Sequence, residues 1–178
     1  LLVPLAVTVL AGNGTLYPWA VSESAAADHV LHQKQAYLNP AFFVARGVGY
    51  FVVWCLMARY FLRLSVRQDR TGDPKLTLSM ERLSAPALIL LVVTLTLASC
   101  DWLMSLWPHW WSTIFGVYFL AGAAVGALAL LILWVVLLEL AGPLAGEVTI
   151  EHYHDLGKLQ LASVAFWGYI AFSQYLLI

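Results

Sequence analysis

Charge is what this sequence has least of. Aspartate, glutamate, lysine and arginine together make up 11% of its 178 residues, hydrophobic residues make up 62%, and the mean hydropathy is +0.81, far from the balance of soluble globular domains. With a formal net charge of −1 there is no basic surface for a nucleic acid. Cysteine is almost as scarce. Cys55 and Cys100 both fall in apolar runs and form no CxxC, haem-attachment or iron–sulfur spacing, so they read as small buried apolar residues. A glycine-rich nucleotide fingerprint, a phosphate loop and a nucleophile elbow are also missing, and with them the common soluble enzyme classes. The N-terminal run has neither the basic flank nor the small-residue cleavage pattern of a signal peptide. Membrane-barrel strands would alternate apolar and polar residues, whereas the apolar runs here are continuous.

Those runs are what the chain is made of. A helix needs roughly 20 apolar residues to cross a bilayer, and such stretches occur at 41–64, 83–106, 112–140 and 156–178. Residues 1–11 read as the end of a fifth span. The expected fold is therefore all-α: a polytopic transmembrane bundle of four near-complete spans and one partial span, forming a single integral membrane domain over 1–178 that is an internal piece of a longer protein. Gly12-Asn13-Gly14 ends the first span, Asn39-Pro40 starts the second, Arg70-Thr71-Gly72-Asp73-Pro74 is a turn and Gly142-Pro143 ends the fourth. Segment 22–35 has the makings of a short interfacial helix capped by Ser22 or Ser24.

Lysine and arginine set the orientation. The connection 65–82 holds Arg67, Arg70, Lys75 and Arg82, with Arg59 and Arg63 just before it, whereas 12–40 has only Lys34 and 107–111 has none. The positive-inside rule puts loop 65–82 in the cytoplasm and loop 107–111 on the outer, periplasmic side. Trp107, Trp110, Trp111 and Tyr118 then form an outer aromatic belt, or wall a quinone-headgroup pocket. Gly122 and Gly126, reinforced by Ala121, Ala123, Ala124 and Ala127, have the small-residue spacing that lets another helix approach closely.

Two ionisable groups lie inside apolar spans, where each must be paired or mark a functional path. Arg46 stands six residues after Pro40, and Asp101 seven before Pro108, so at about 1.5 Å per residue both sit roughly 10 Å below the outer boundary. A buried Arg46–Asp101 ion pair is expected, either as a static tie between helices or as a proton-handling site. Thr94 and Ser105 share the Asp101 face, and their hydroxyls either bond back to their own helix or add to a polar lining. On the last span Glu151, His154, Asp155 and Lys158 share one face. At the helical period that face reaches Tyr169 and Ser173 beyond small residues, which makes it a helix-terminating charge cluster or a proton half-channel. All five histidines, His29, His32, His109, His152 and His154, fall at or beyond span ends, away from where facing helices would hold a haem b.

The run Ser99-Cys100-Asp101-Trp102-Leu103-Met104-Ser105-Leu106, continued by Pro108-His109-Trp110 and Ser112-Thr113-Ile114-Phe115-Gly116-Val117-Tyr118, closely resembles ActF, a membrane subunit of bacterial alternative complex III. So does a second run, His154-Asp155-Leu156-Gly157-Lys158, followed by Phe166-Trp167 and Ile170-Ala171-Phe172-Ser173-Gln174-Tyr175. Two matches in the right order are more specific than one. The resemblance implies a polysulfide-reductase-type helical subunit, of about ten spans in the family, within a quinol:electron-acceptor oxidoreductase of the bacterial cytoplasmic membrane. It implies no cofactor in this chain, with c-type haems and iron–sulfur clusters on partner subunits and the main quinol site on an ActC-like sister subunit. A role in moving protons is implied too, with Asp101, His109, His154, Asp155 and Lys158 at the matching positions. The chain departs from the family at Cys100, where a larger apolar residue is expected, and at Trp107, where members often carry an acidic one. The rival classes are a secondary transporter or channel, which would hold polar groups near the bilayer midplane around broken helices, and a purely structural membrane anchor.

Overall fold

A computed structural model of the chain describes residues 17–20 and 29–177. The expected partial span at 1–11, the Gly12-Asn13-Gly14 break and the Ser22 or Ser24 cap lie outside the described residues. Among those described the fold is all-helical, without strands, and the chain divides into two compact units that meet in sequence between Trp111 and Ser112.

The first unit contains α1 (His29–Lys34), α2 (Pro40–Thr71) and α3 (Pro74–Trp102), with single 3-10 turns at Pro18–Ala20 and Met104–Leu106. Helix α2 starts where the sequence says it should: Asn39 is extended, its Oδ1 accepts the Ala41 N–H at 3.0 Å, and Pro40 occupies the first turn, where its missing N–H costs nothing. Asp73 caps α3 in the same way, accepting the Lys75 N–H at 3.0 Å ahead of Pro74.

One expectation is corrected here. The connection expected over 65–82 is not an 18-residue loop, because α2 continues to Thr71 and α3 begins at Pro74. Hydropathy marks where a helix leaves lipid, and a polar helix can continue past that point. The helix itself stops only at Gly72, which adopts φ +63° and donates its N–H to Gln68 O at 2.8 Å, a left-handed C-terminal cap that favours glycine. Three polar ties fasten α2 to α3 along their length: Arg46 and Tyr50 to Asp101, Trp54 to Thr94, and Gln68 to Thr77.

The second unit pairs α4 (Phe115–Leu140) with α5 (Ile150–Leu177). At Gly122 the two pack tightly, since a Cβ there would lie 3.3 Å from the Trp167 indole nitrogen, and the Trp167 ring stacks on Tyr118 with centroids 6.1 Å apart. Gly126 has nothing within 4 Å of its Cβ position, so this contact uses only the first half of the small-residue pattern. Gly142 and Gly146, at φ +97° and +84°, turn the linker. His152 Nδ1 accepts the Thr149 N–H at 3.0 Å at the start of α5, a capping arrangement.

Helices α2, α3 with its following 3-10 turn, and α4 are long and apolar enough to cross a membrane. Helix α5 covers most of the expected fourth span but is not one of these three; Gln160, Ser163, Ser173 and Gln174 interrupt its apolar run.

The two glycine environments give opposite expectations. Gly72→Ala meets open space but must hold a left-handed backbone, so it should destabilise the first unit by about 1 kcal/mol. Gly126→Ala lies in a helix interior with equal room and should stabilise by up to about 1 kcal/mol. Denaturant unfolding of the purified chain in detergent checks both signs.

Candidate functional site

Asp101 is 1% exposed and fully engaged. Its Oδ2 accepts from Arg46 Nε at 2.8 Å and from the Tyr50 hydroxyl at 2.7 Å, and its Oδ1 accepts from Arg46 Nη2 at 2.9 Å. Three donors converge on it, two of them from one planar guanidinium, and a carboxylate that only accepts is the form matched to that geometry. Arg46 is held through all three of its nitrogens. Its Nη1 donates to the Tyr37 carbonyl at 3.0 Å, and its guanidinium carbon lies 3.9 Å and 4.3 Å from the centroids of the Tyr37 and Phe42 rings, so the cation is held by aromatic faces where water would otherwise solvate it.

Helical spacing builds this arrangement. Arg46, Tyr50 and Trp54 recur every fourth residue on the α2 face turned to α3, and Thr94, Ala98 and Asp101 answer from α3. Thr94 Oγ1 accepts the Trp54 indole N–H at 2.9 Å while donating back to Leu90 O at 2.8 Å. The Ser105 hydroxyl donates to the Asp101 carbonyl. Both hydroxyls therefore bond back to their own segment, and Thr94 also serves the interface. The rings of Tyr50, Phe51 and Trp54 pack around Trp102, next in sequence to Asp101, with centroids 5.6–6.1 Å from it.

Over the end of α3 lies a small core of Tyr17, Trp19, Leu31, Leu38 and Phe43. The Tyr17 hydroxyl donates to Trp102 O at 3.0 Å, Trp19 Nε1 to Ser105 O at 3.1 Å, and Lys34 Nζ to Pro108 O at 2.6 Å. Backbone carbonyls left without helical partners where α3 ends are thus satisfied by side chains from the segment before α2. Burial, with the Asp101 charge adding to it, pushes the Tyr17 and Tyr37 hydroxyls up to about 12, so both stay neutral hydrogen-bonding groups at physiological pH. Beside the pair is a cavity of about 250 Å³ lined by Lys34, Tyr37, Cys100, Met104 and Trp110. Of the three hairpin tryptophans only Trp110 lines it, while Trp107 and Trp111 are 71% and 70% exposed.

The other candidate residues lie elsewhere. His109 is exposed on the hairpin of the first unit. His154, Asp155, Lys158 and Tyr169 are exposed along α5 in the second unit; Lys158 Nζ meets Asp155 Oδ1 at 3.1 Å, and the Ser173 hydroxyl donates to the Tyr169 carbonyl at 2.9 Å. Asp155 also borders a cleft of about 480 Å³ with Glu147 and His152. The structure therefore joins Arg46 to Asp101 directly, and it leaves His154, Asp155, Lys158 and Tyr169 exposed along α5. Among the described residues no three histidine, cysteine or carboxylate side chains cluster as metal ligands.

Sequence reasoning missed several contacts, including those of Tyr50, Tyr37 and Trp54. Tyr50 was detectable, because it stands one helical turn after Arg46. The Ser112–Gln174 hydrogen bond of 2.6 Å and the bond from the Tyr153 hydroxyl to Glu139 join residues whose spacing gives no sign of contact. The sequence matches no protein-family model and no curated protein.

Asp101→Ala leaves a buried guanidinium without its counter-ion and should cost about 3–5 kcal/mol. Tyr50→Phe removes one hydrogen bond to a charged acceptor and should cost about 1.5–3 kcal/mol. Equilibrium unfolding in detergent should rank the two in that order.

Proposed function

We propose that this chain is an integral membrane subunit of a bacterial quinol:electron-acceptor oxidoreductase of the alternative complex III type, resembling ActF, and that it scaffolds the quinol-oxidising sister subunit. The two motif runs support the assignment, and the observation that carries the scaffolding role is the closed Arg46–Asp101–Tyr50 network. Every polar atom of the guanidinium and both carboxylate oxygens are bonded within the first unit, the arrangement of a structural tie. A transporter's midplane site would instead present polar groups to a solute. In this reading α5 is a further span, loop 107–111 faces the periplasm, the α2–α3 turn faces the cytoplasm, and redox cofactors belong to neighbouring subunits.

Proton conduction has its support in the second unit. His154, Asp155 and Lys158 are titratable groups on one exposed face leading towards Tyr169 and Ser173, and a partner helix laid against that face would enclose them. In this proposal the path runs between subunits, and Asp101 keeps a structural role within the first unit.

The test is the company the protein keeps. Affinity purification of the full-length protein from native membranes should bring down multihaem c-type cytochrome and iron–sulfur subunits, with quinol-oxidising activity in the same fraction. Isolation as a lone chain, or with subunits that carry no redox centres, would overturn the proposal.

A further inference from the structure

The cytoplasmic end of α2 has a row of cations with no side-chain partner among the described residues. Arg59, Arg63, Arg67 and Arg70 are all exposed, and at about 100° per residue they fall within an arc of roughly 80°. Among the described residues no carboxylate lies within ion-pair distance of any of them. The carboxylates closest in sequence are directed or occupied elsewhere. Asp69 lies about 120° round the helix from Arg63, and Asp73 caps α3. Four like charges in one row repel each other, which favours an anion beside them.

Two clefts adjoin this row, and Arg63 borders both. One, of about 360 Å³, runs along Arg63, Val66, Arg67 and Arg70. The other, of about 620 Å³, lies between α2 and α3 and is walled by Leu56, Tyr60, Leu83, Pro86 and Leu90, with Arg59 and Arg63 at its edge. A cationic cleft thus continues into an apolar one. At about 1.5 Å per residue, Arg59 to Arg70 lie roughly 20–36 Å along α2 from Arg46, where a hydrocarbon core of about 30 Å gives way to headgroups.

We infer that this surface is a binding site for an anionic phospholipid of the inner leaflet, with the phosphate held by Arg63, Arg67 and Arg70 and an acyl chain lying in the groove between α2 and α3. Charge complementarity selects the headgroup, since guanidinium forks match phosphate oxygens in pairs, and basic pockets between helices on the cytoplasmic side are suited to such lipids. The apolar groove selects a lipid over a free anion. The site does not depend on the respiratory assignment.

The full chain in nanodiscs of zwitterionic lipid, doped with a spin-labelled anionic phospholipid, tests this. The immobilised lipid fraction should favour the anionic label over a zwitterionic one. The triple variant Arg63→Gln, Arg67→Gln, Arg70→Gln should lose that preference by about fivefold per arginine at low salt, whereas Lys75→Gln with Arg82→Gln, which removes charge from α3, should retain it. Ala87→Trp, which fills the groove and leaves the arginines in place, should lower the immobilised fraction, and this arm stands if the triple variant does not fold. Millimolar inorganic phosphate should not displace the label. Unchanged selectivity in the triple variant or in Ala87→Trp, equal loss in the α3 control, or displacement by phosphate would each overturn the proposal.

Discussion

A carboxylate cannot be left alone in a hydrocarbon environment, and the first unit of this protein is organised around that constraint. Asp101 is 1% exposed in a helix apolar enough to cross a membrane, and stranding such a charge costs more than most single contacts return. Its three donors come from α2, on residues one helical turn apart, so satisfying the charge also fixes the rotation and height of α2 against α3. Arg46 transmits the constraint outwards: its remaining donor reaches the Tyr37 carbonyl and its faces rest on Tyr37 and Phe42, which sets the path of the chain into α2. From there the Tyr17–Trp19–Phe43 core closes over the end of α3.

The two units differ in how they are held. The first has an ion pair, a threonine–indole bond and a glutamine–threonine bond along its helix interface. The second relies on Gly122 against Trp167, with one polar tie near each end, at Ser112–Gln174 and Glu139–Tyr153. Most of the remaining surface of α4 and α5 is exposed apolar side chain, Leu133, Trp134, Leu161 and Phe172 among them, as expected for helices whose other neighbours are lipid or further protein. The arginine row of α2 places the opposite kind of demand on its surroundings, for charge of one sign at one depth.

Helices and their ends were legible because their signals are local. Asn39-Pro40, Gly72 and Asp73-Pro74 each act through a backbone position that the residue type prefers. The pairing of Arg46 with Asp101 could be argued from sequence because rarity and depth left each ion one suitable partner. The length of the α2–α3 connection was misread because hydropathy falls at the membrane surface while hydrogen bonding continues along the helix to Thr71. Ser112 and Gln174 were out of reach, since neither their types nor their separation encodes how α5 lies against the chain leading into α4. The small core over the end of α3 was equally hidden, since nothing in the sequence marks Tyr17 and Trp19 as partners of the Trp102 and Ser105 carbonyls.

The central claim is that Arg46 and Asp101 act as one unit to fasten α2 to α3. A double-mutant cycle of Arg46→Met and Asp101→Leu, read by unfolding in a lipid bilayer, tests it most directly. The account predicts strong coupling, about 2 kcal/mol or more, with the double variant losing far less than the sum of the single losses, because removing both charges leaves nothing stranded. Additive losses would contradict it, for they would mean that each side chain is held by its own surroundings and not by the other.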